Sequence, residues 1–359
     1  MKDFSYLKNL NKLKTNSQIY IYGSGTFGRS FYFSIKTYRS DIDILGFIDS
    51  YENGEIFDLP IIKIDAFVYS SKNYNNIIIC ADPLHWSAIV NKLNKVDLKD
   101  YLVNLYWDFD LYGKKNFQKY DKYKKLTKKI RNLFISEEDR IIWDIITISM
   151  RKQNIEKSFE YWDKHKSTLD YCKYMKFNDG DIIIDGGAAF SNDTQYFDKQ
   201  VGDNGIVYAF DPNILNNNNN ESKSKKIISK VLWDKTTKVS FIMDGSRSRV
   251  SEKKYDGTEK FSAITIDDFV KNQHLNRLDF IKLDVEGAEM NVLRGGVNSI
   301  LKFRPGFAIS IYHKLEDFFN IALFLDELLT DYVFHIDYFN PYCIDTILFA
   351  VPIEREFYA

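Results

Sequence analysis

The sequence lacks the features that would mark a secreted, membrane-spanning or nucleic-acid-binding protein. It has three cysteines in 359 residues, far apart and without a CxxC pair, so neither a disulfide framework nor a cysteine-rich zinc site is predicted. No apolar run approaches the roughly 18 residues of a membrane span, and the start has no apolar signal core. We therefore expect a cytoplasmic protein. A net charge of -1 argues against broad nucleic-acid binding.

What the sequence does contain is one pattern that occurs twice. An apolar strand, a glycine-bearing turn, a helix and a second strand ending in an acid occur at 18–49 and again at 181–211. This is the opening unit of a doubly wound α/β fold. We predict two doubly wound Rossmann-like domains, at 1–115 and 178–359, joined by a Lys-rich helical connector at 116–177.

The second unit predicts a nucleoside site. Its first strand delivers Asp185 to the carboxyl edge of the sheet, where doubly wound folds bind ligands. Gly186 and Gly187 lack a Cβ, which allows close approach of the backbone to a ligand. Asp211 ends the neighbouring strand and can accept both hydroxyls of a ribose. Because the second unit has no complete G-x-G-x-x-G turn for a pyrophosphate, S-adenosylmethionine fits better than a dinucleotide.

The order and spacing of several blocks in this half resemble the FkbM family of S-adenosylmethionine-dependent methyltransferases, over about residues 178–351. The longest block is Asp279-Phe-Ile-Lys-Leu-Asp-Val-Glu-Gly-Ala-Glu289. The other matching blocks are 181–189, 193–194, 208–213, 265–268, 293–296, 304–305, 308–314 and 346–350.

The resemblance implies a class I methyltransferase sheet, parallel with one antiparallel C-terminal strand, and a set of cofactor-binding residues. Asp185 and its glycines match the motif beside the methionine moiety, Asp211 matches the ribose acid, and Asp234 stands where the family often places a polar group near adenine. The full set is Asp185, Gly186, Gly187, Ala188, Asp193, Thr194, Asp211, Pro212, Asn213 and Asp234.

We predict that His313, helped by Asp284 or Glu286, removes the proton of a hydroxyl acceptor, with Lys282 on the same strand face as Asp284. Its ordinary pKa near 6.5 suits His313 for this role. The alternatives are plainer: Glu286 and Glu289 could simply begin a helix at 286–293, and His313 could be a polar strand-end residue. A metal held by Asp284, Glu286 and His313 is less favoured, because no dense carboxylate cluster is visible in the sequence, and we predict none.

The first unit carries Gly23, Gly25 and Gly28 with Asp49 downstream, which fits a dinucleotide fingerprint. It resembles small Rossmann-like domains that precede sugar-modifying enzymes. It could bind a nucleotide, or serve as a scaffold or in homodimer formation. An NAD-dependent oxidoreductase or a nucleotide-sugar-binding protein is therefore the alternative function.

We expect an O-methyltransferase that acts on a sugar or a glycan or capsule precursor, in polysaccharide biosynthesis. The sugar follows from the resemblance together with the N-terminal domain. Many relatives carry a basic-aromatic motif before the final strand, where this chain has His335-Ile-Asp-Tyr-Phe339. Acceptor specificity therefore cannot be carried over from those relatives, although His335 could still face the substrate.

Overall fold

The computed structural model divides into two compact units. Unit 1 consists of Met1–Lys122 and Ile145–His165, and unit 2 of Tyr123–Asp144 and Lys166–Ala359. The expected domain limits at 115 and 178 stay predictions, and the predicted connector is shared between the units. The structure describes residues 5–70, 76–98, 100–107, 120–165, 169–188, 192–212, 224–242, 249–251 and 259–357.

Unit 1 contains a seven-stranded sheet in the order β1-β7-β6-β2-β3-β5-β4. All neighbours are parallel except β4 and β5. Its strands are β1 Tyr6–Leu7, β2 Gln18–Tyr22, β3 Asp43–Asp49, β4 Gly54–Ile56, β5 Leu59–Lys63, β6 Ile77–Ile79 and β7 Tyr101–Asn104. The helices beside them in sequence are α1 Thr26–Tyr38, α2 Ile64–Ser70 and α3 Trp86–Lys95. The run at 101–105 was expected to close this sheet, but β1 pairs beyond it. A two-residue strand is too short to carry a periodic signal.

The Lys-rich stretch between the two patterns is helical, as its sequence indicates. It contains α4 Tyr120–Arg131, α5 Glu137–Lys152 and α6 Glu156–His165. Lys124, Lys125, Lys128 and Lys129 on α4 are exposed, so this basic cluster is a solvated helix face. Among the described residues, no helix has the length and apolar character needed to cross a bilayer.

Unit 2 contains the sheet that positions the candidate site, in the order β10-β9-β8-β15-β16-β18-β17. Every strand runs parallel to the others except β18, which is antiparallel to both of its neighbours. This confirms the predicted parallel sheet with one antiparallel C-terminal strand. The strands of unit 2 are β8 Ile182–Gly186, β9 Ile206–Phe210, β10 Lys225–Ile228, β11 Val231–Leu232, β12 Thr237–Ile242, β13 Arg249–Ser251, β14 Glu259–Ile264, β15 Phe280–Leu283, β16 Gly306–Ser310, β17 Tyr332–Tyr338 and β18 Thr346–Pro352. Its further helices are α7 Asn192–Val201, α8 Ile266–Asn272, α9 Glu289–Arg294, α10 Val297–Phe303 and α11 Leu315–Leu328.

Unit 2 also contains a second, four-stranded sheet. Strand β12 pairs with β13 and β14, and β11 completes this separate sheet. The apolar run at 227–233 is split into β10 and β11 because the Lys230 N–H turns back to the Ile228 carbonyl. An apolar run alone does not reveal such a break.

The main sheet is built from strands that are buried on both faces. Strands β9, β15, β16 and β18 are apolar for most of their length, which is typical of a sheet covered by helices. Phe280 on β15 and Phe197 on α7 are nearly inaccessible and belong to one core cluster. Parallel strands in this sheet carry their carboxyl ends to one edge, where the predicted site residues follow.

At the opposite edge of the same sheet, two arginines form ion pairs with acids beside the strands. Asp181, before β8, is fully buried. Arg277 places Nη2 2.8 Å from Asp181 Oδ1, and Arg355 pairs with the other oxygen of the same carboxylate. Arg355 also lies 3.0 Å from Asp279. The ends of β8 and β15 far from the candidate site are thus tied to residue 355.

Candidate active site

Asp185 is held in a fixed orientation at the end of β8. Its carboxylate is fully buried. Thr194, in the first turn of α7, donates its hydroxyl to Asp185 Oδ2 at 2.5 Å. Lys282 Nζ lies 3.1 Å from Oδ1 and donates to the Gly187 carbonyl at 3.1 Å. The buried cation therefore ties the carboxylate to the glycine turn that follows it, and Lys282 acts within the site, not at its surface.

Gly187 brings the backbone after β8 into contact with the backbone after β15. Its φ is +75°, and a Cβ at this position would lie 1.8 Å from the Asp284 carbonyl oxygen. The Gly187 and Ala188 N–H groups both donate to the Phe210 carbonyl. No side chain fits in that space, so this turn requires glycine.

Two further acids of the predicted cofactor set have different surroundings. Asp211 directly follows β9, next to β8, and is buried. Asp234 follows β11 in the smaller sheet and accepts a hydrogen bond from Asn291 Nδ2 at 3.0 Å, which links it to α9. Asp193 lies beside Thr194 in α7, and Pro212 is buried beside Asp211. Asn213 lies outside the described residues.

Three of the four predicted catalytic residues, His313, Asp284 and Glu286, meet three residues beyond β16, while Lys282 pairs with Asp185. His313 Nδ1 lies 2.9 Å from Glu289 Oε1. Its Nε2 lies 3.5 Å from Asp284 Oδ1 and 3.6 Å from Glu286 Oε2. Burial lowers the pKa of His313, but Glu289, Asp284 and Glu286 outweigh it and raise the pKa to about 9. The ligand-free cluster therefore favours positive charge on the imidazole at neutral pH.

Glu286 and Glu289 do not share a helical turn, which corrects the predicted helix at 286–293. Helix α9 begins at Glu289, while Glu286 has a left-handed backbone with φ of +54°. Glu289 Oε1 accepts the Val285 and Gly287 N–H groups at 3.0 and 3.3 Å. These contacts fold the intervening segment into a turn that presents Glu286 to His313. The predicted end of the helix is confirmed, because Gly295 is its C-cap.

Two tyrosines that the sequence did not single out bind Asp284. Tyr171 donates its hydroxyl to Oδ2 at 3.1 Å, and Tyr312 reaches Oδ1 at 3.5 Å. Burial raises the pKa of both hydroxyls, so they remain donors. Tyr312 could have been noticed because it precedes His313 at a strand end. Tyr171 lies in the predicted connector, and no local pattern marks it.

Asp345, near the same carboxylate, was also missed. Burial, reinforced by the negative charge of Asp284, raises the pKa of Asp345 to about 6. Its backbone is left-handed, with φ of +62°, in the turn before β18. The surroundings of His313 are consequently richer in carboxylates than the sequence blocks indicate.

His335 does not face this site. It is buried in β17, with Nδ1 2.9 Å from Asp139 Oδ2 and Nε2 3.0 Å from Glu356 Oε1. Tyr174 stacks on its ring with centroids 4.1 Å apart. His335 therefore bridges two carboxylates from distant parts of unit 2, which corrects the expectation that it could contact substrate.

In unit 1, the glycine fingerprint forms the expected tight turn. Gly23 has φ of +112°, and a Cβ there would lie 2.4 Å from the Cys80 carbonyl oxygen, whereas Gly25 has open space. Asp49 accepts the Ser24 N–H and hydroxyl on Oδ2, and the Tyr51 and Glu52 N–H groups on Oδ1. Both oxygens are thus already used within the loop, and a ribose would have to displace these donors. A nucleotide site here stays a prediction.

The comparisons with known proteins agree with this geometry. Residues 178–336 match the family model described as the Methyltransferase FkbM domain. The Rossmann-like sheet with its buried acids at the carboxyl edge agrees with this match. The C-terminal part of this chain is thus similar to a methyltransferase domain of the FkbM family. The sequence matches none of the curated proteins searched.

Solved structures with similar folds include a methyltransferase FkbM from Methylobacillus flagellatus KT. The TM-score is 0.66 at 16% identity, covering 94% of this chain and 90% of that protein. The DAP dehydrogenase of C. glutamicum, in complex with DAP, has a TM-score of 0.21, 14% identity and 31% coverage of each chain. RSP, a Rex-family repressor, has a TM-score of 0.22 and 18% identity, covering 32% of this chain and 63% of that one. The first likeness supports the fold, and the other two are too weak to bear on function.

Proposed function

We propose that this protein transfers a methyl group from S-adenosylmethionine to a hydroxyl of a sugar or of a glycan precursor. The observation that carries the proposal is the meeting of Asp185, the Gly187 turn and Asp211 at one sheet edge of a domain similar to the FkbM methyltransferase domain. The NAD-dependent alternative in unit 1 has no comparable support, because Asp49 is used by its own loop.

The residues present fit an adenosine-type cofactor. Asp211 is a buried carboxylate at a strand end, which suits the two hydroxyls of a ribose. The turn at Gly186 and Gly187 lies beside Asp185, where a methionine moiety would be held. When bound, S-adenosylmethionine supplies an electrophilic methyl group on a sulfonium. The contribution of the protein is to align the acceptor with this methyl group and to exclude water.

The proton of the acceptor hydroxyl has a receiving group at the same edge. We assign this role to the His313 cluster, defined as His313 with Asp284, Glu286 and Glu289. Asp284 and Glu286 each keep 27% of their side-chain surface exposed, so an acceptor can reach them. Tyr171 and Tyr312 fix the orientation of Asp284. This extends the role predicted for His313 to the carboxylates that surround it.

Support for a sugar acceptor comes from the chemistry of this edge. The cluster offers carboxylates and a polarisable imidazole, which bind hydroxyl groups well, while Lys282 is already paired with Asp185. We propose a small-molecule or glycan acceptor, with no part for nucleic acid. A screen of nucleotide sugars and glycan fragments for a methyl mass increment would identify it.

Calorimetry with S-adenosylhomocysteine tests the cofactor assignment directly. The wild-type protein should bind it, and Asp211→Ala should weaken binding at least tenfold, because a buried charge-assisted bond to ribose is lost. Asp43→Ala, an exposed acid of unit 1, is the matched control. Absence of binding by the wild-type protein, or equal affinity of Asp211→Ala, would refute the assignment.

A further inference from the structure

The His313 cluster has the separations of a cation site. Nε2 of His313 is buried and makes no hydrogen bond among the described residues. Its distances to Asp284 Oδ1 and Glu286 Oε2, 3.5 and 3.6 Å, exceed the usual N–H···O length of about 2.7–3.2 Å. Ligand atoms about 2.1 Å from one divalent ion lie about 3.0–3.6 Å apart when the angle between them is 90–120°. Each of the two oxygens therefore stands at the spacing of a neighbouring ligand from the ring nitrogen.

Glu289 lies beside the other ring nitrogen as a charge partner, on the side of the ring away from the two oxygens' contacts with Nε2. Its Oε1 lies 2.9 Å from His313 Nδ1 and also accepts two backbone N–H groups. In metal sites a ligating histidine usually directs its second nitrogen to a carboxylate in this way, which sets the tautomer and leaves Nε2 for the ion. Ligand atoms of Asp284, Glu289 and His313 all lie within 4.8 Å of one another.

The local charge also favours a cation. Three carboxylates surround one imidazole. Of the nearby cations, Lys282 is held by Asp185, and Lys314 donates to the Gly287 carbonyl. The reason for expecting no metal was that the sequence showed no dense carboxylate cluster. Folding creates one, because it brings Asp284, Glu286 and Glu289 to the same side chain.

We propose that His313 Nε2, Asp284 and Glu286 bind one divalent cation, with Glu289 as the carboxylate that orients the histidine. Carboxylate oxygens with one imidazole suit Mn²⁺ or Mg²⁺. The exposed parts of Asp284 and Glu286 leave coordination positions open on the solvent side. Binding of the ion does not depend on the proposed function. Its role rests on that function: an acceptor hydroxyl bound there loses its proton more readily, and the cluster carboxylates remain as proton acceptors.

The proposal can be tested without a methyl acceptor, by titrating the full-length protein with MnCl2. Calorimetry and the EPR signal of free Mn²⁺ monitor the binding. We expect one Mn²⁺ per chain, competed by Mg²⁺, and a 10- to 100-fold loss of affinity in Glu286→Gln and His313→Gln. Glu354→Gln, an exposed acid that pairs with Arg304 on the surface, should bind Mn²⁺ as the wild type does.

The outcomes separate this inference from the proposed function. If the wild-type protein binds no Mn²⁺, or Glu286→Gln binds it with unchanged affinity, the cation site is refuted. Calorimetry with S-adenosylhomocysteine on the same samples tests the proposed cofactor binding, whichever result the Mn²⁺ titration gives. Should His313→Gln fail to fold, the Glu286 variant still decides, because 27% of the Glu286 side chain is exposed and it is not part of the core.

Discussion

Replacing Gly187 with alanine adds one methyl group. We expect it to damage the site more than a methyl group added at any other position. A Cβ at Gly187 would lie 1.8 Å from the Asp284 carbonyl oxygen, where real Cβ contacts stay beyond 3.0 Å. The left-handed backbone costs about 1–2 kcal/mol for an alanine. Overpacking adds about 1–3 kcal/mol, so we expect unit 2 to lose about 2–5 kcal/mol of unfolding free energy.

The same substitution should also impair the cofactor site. The two loops must separate by about 1 Å, a displacement that at a reacting centre costs about 100-fold in rate. Because Lys282 binds the Gly187 carbonyl, the displacement also disturbs the ion pair with Asp185. We expect the affinity for S-adenosylhomocysteine to fall at least tenfold, as measured by calorimetry. Urea unfolding of the same variant measures the loss of stability.

Gly180→Ala provides the matched control within unit 2. Gly180 also has a left-handed φ, +93°, but the atoms nearest to its Cβ position are 4.0 Å away. It should therefore show the backbone cost alone, about 1–2 kcal/mol, with normal ligand affinity. If Gly187→Ala unfolds at the same urea concentration as Gly180→Ala and binds S-adenosylhomocysteine normally, the close-approach argument is wrong.

Two other substitutions separate structural from catalytic histidines. His335→Ala should cost about 3–5 kcal/mol, because it leaves Asp139 and Glu356 as buried carboxylates without their shared partner. Thermal unfolding of His335→Ala, compared with that of the exposed control His85→Ala, measures this loss. Equal melting temperatures of the two variants would contradict the bridging role of His335. His313→Ala should keep its affinity for S-adenosylhomocysteine, but its rate of methyl transfer should fall by about 100-fold or more. The rate is measured with labelled S-adenosylmethionine and the acceptor that the screen identifies. Near-wild-type turnover would remove the cluster from the mechanism.

The elements that the sequence predicted well are those whose boundaries have chemical markers. Strand β9 was predicted at its observed limits because an apolar run ends in Asp211, and β8 was placed to within a residue of its observed start by Asp185 and the glycines. Such strands are buried on both faces, so their composition alone identifies them. The same markers predicted the residues that we propose bind the cofactor.

The parts that the sequence missed depend on contacts between distant segments. Glu286 reaches His313 because Glu289 binds backbone groups of the preceding turn, which is an arrangement that no helix period encodes. Tyr171 approaches Asp284 from a segment 113 positions away. Helix α8 was missed although Thr265 caps it, since seven residues give too little periodicity.

The order of strands in unit 2 has a consequence for synthesis on the ribosome. Strand β17 pairs only with β18 among the described strands, and β18 lies between β16 and β17. As the chain emerges, residues 332–338 therefore have no neighbouring strand until 346–352 follow. Their earlier partners include a bridge from Phe334 to Phe134 and the hydrogen bond from the Ile336 N–H to Asp139. Asp181 waits longer still for Arg355. At about 5–20 residues per second, the edge stays open for roughly a second, during which nascent chains can pair wrongly with one another.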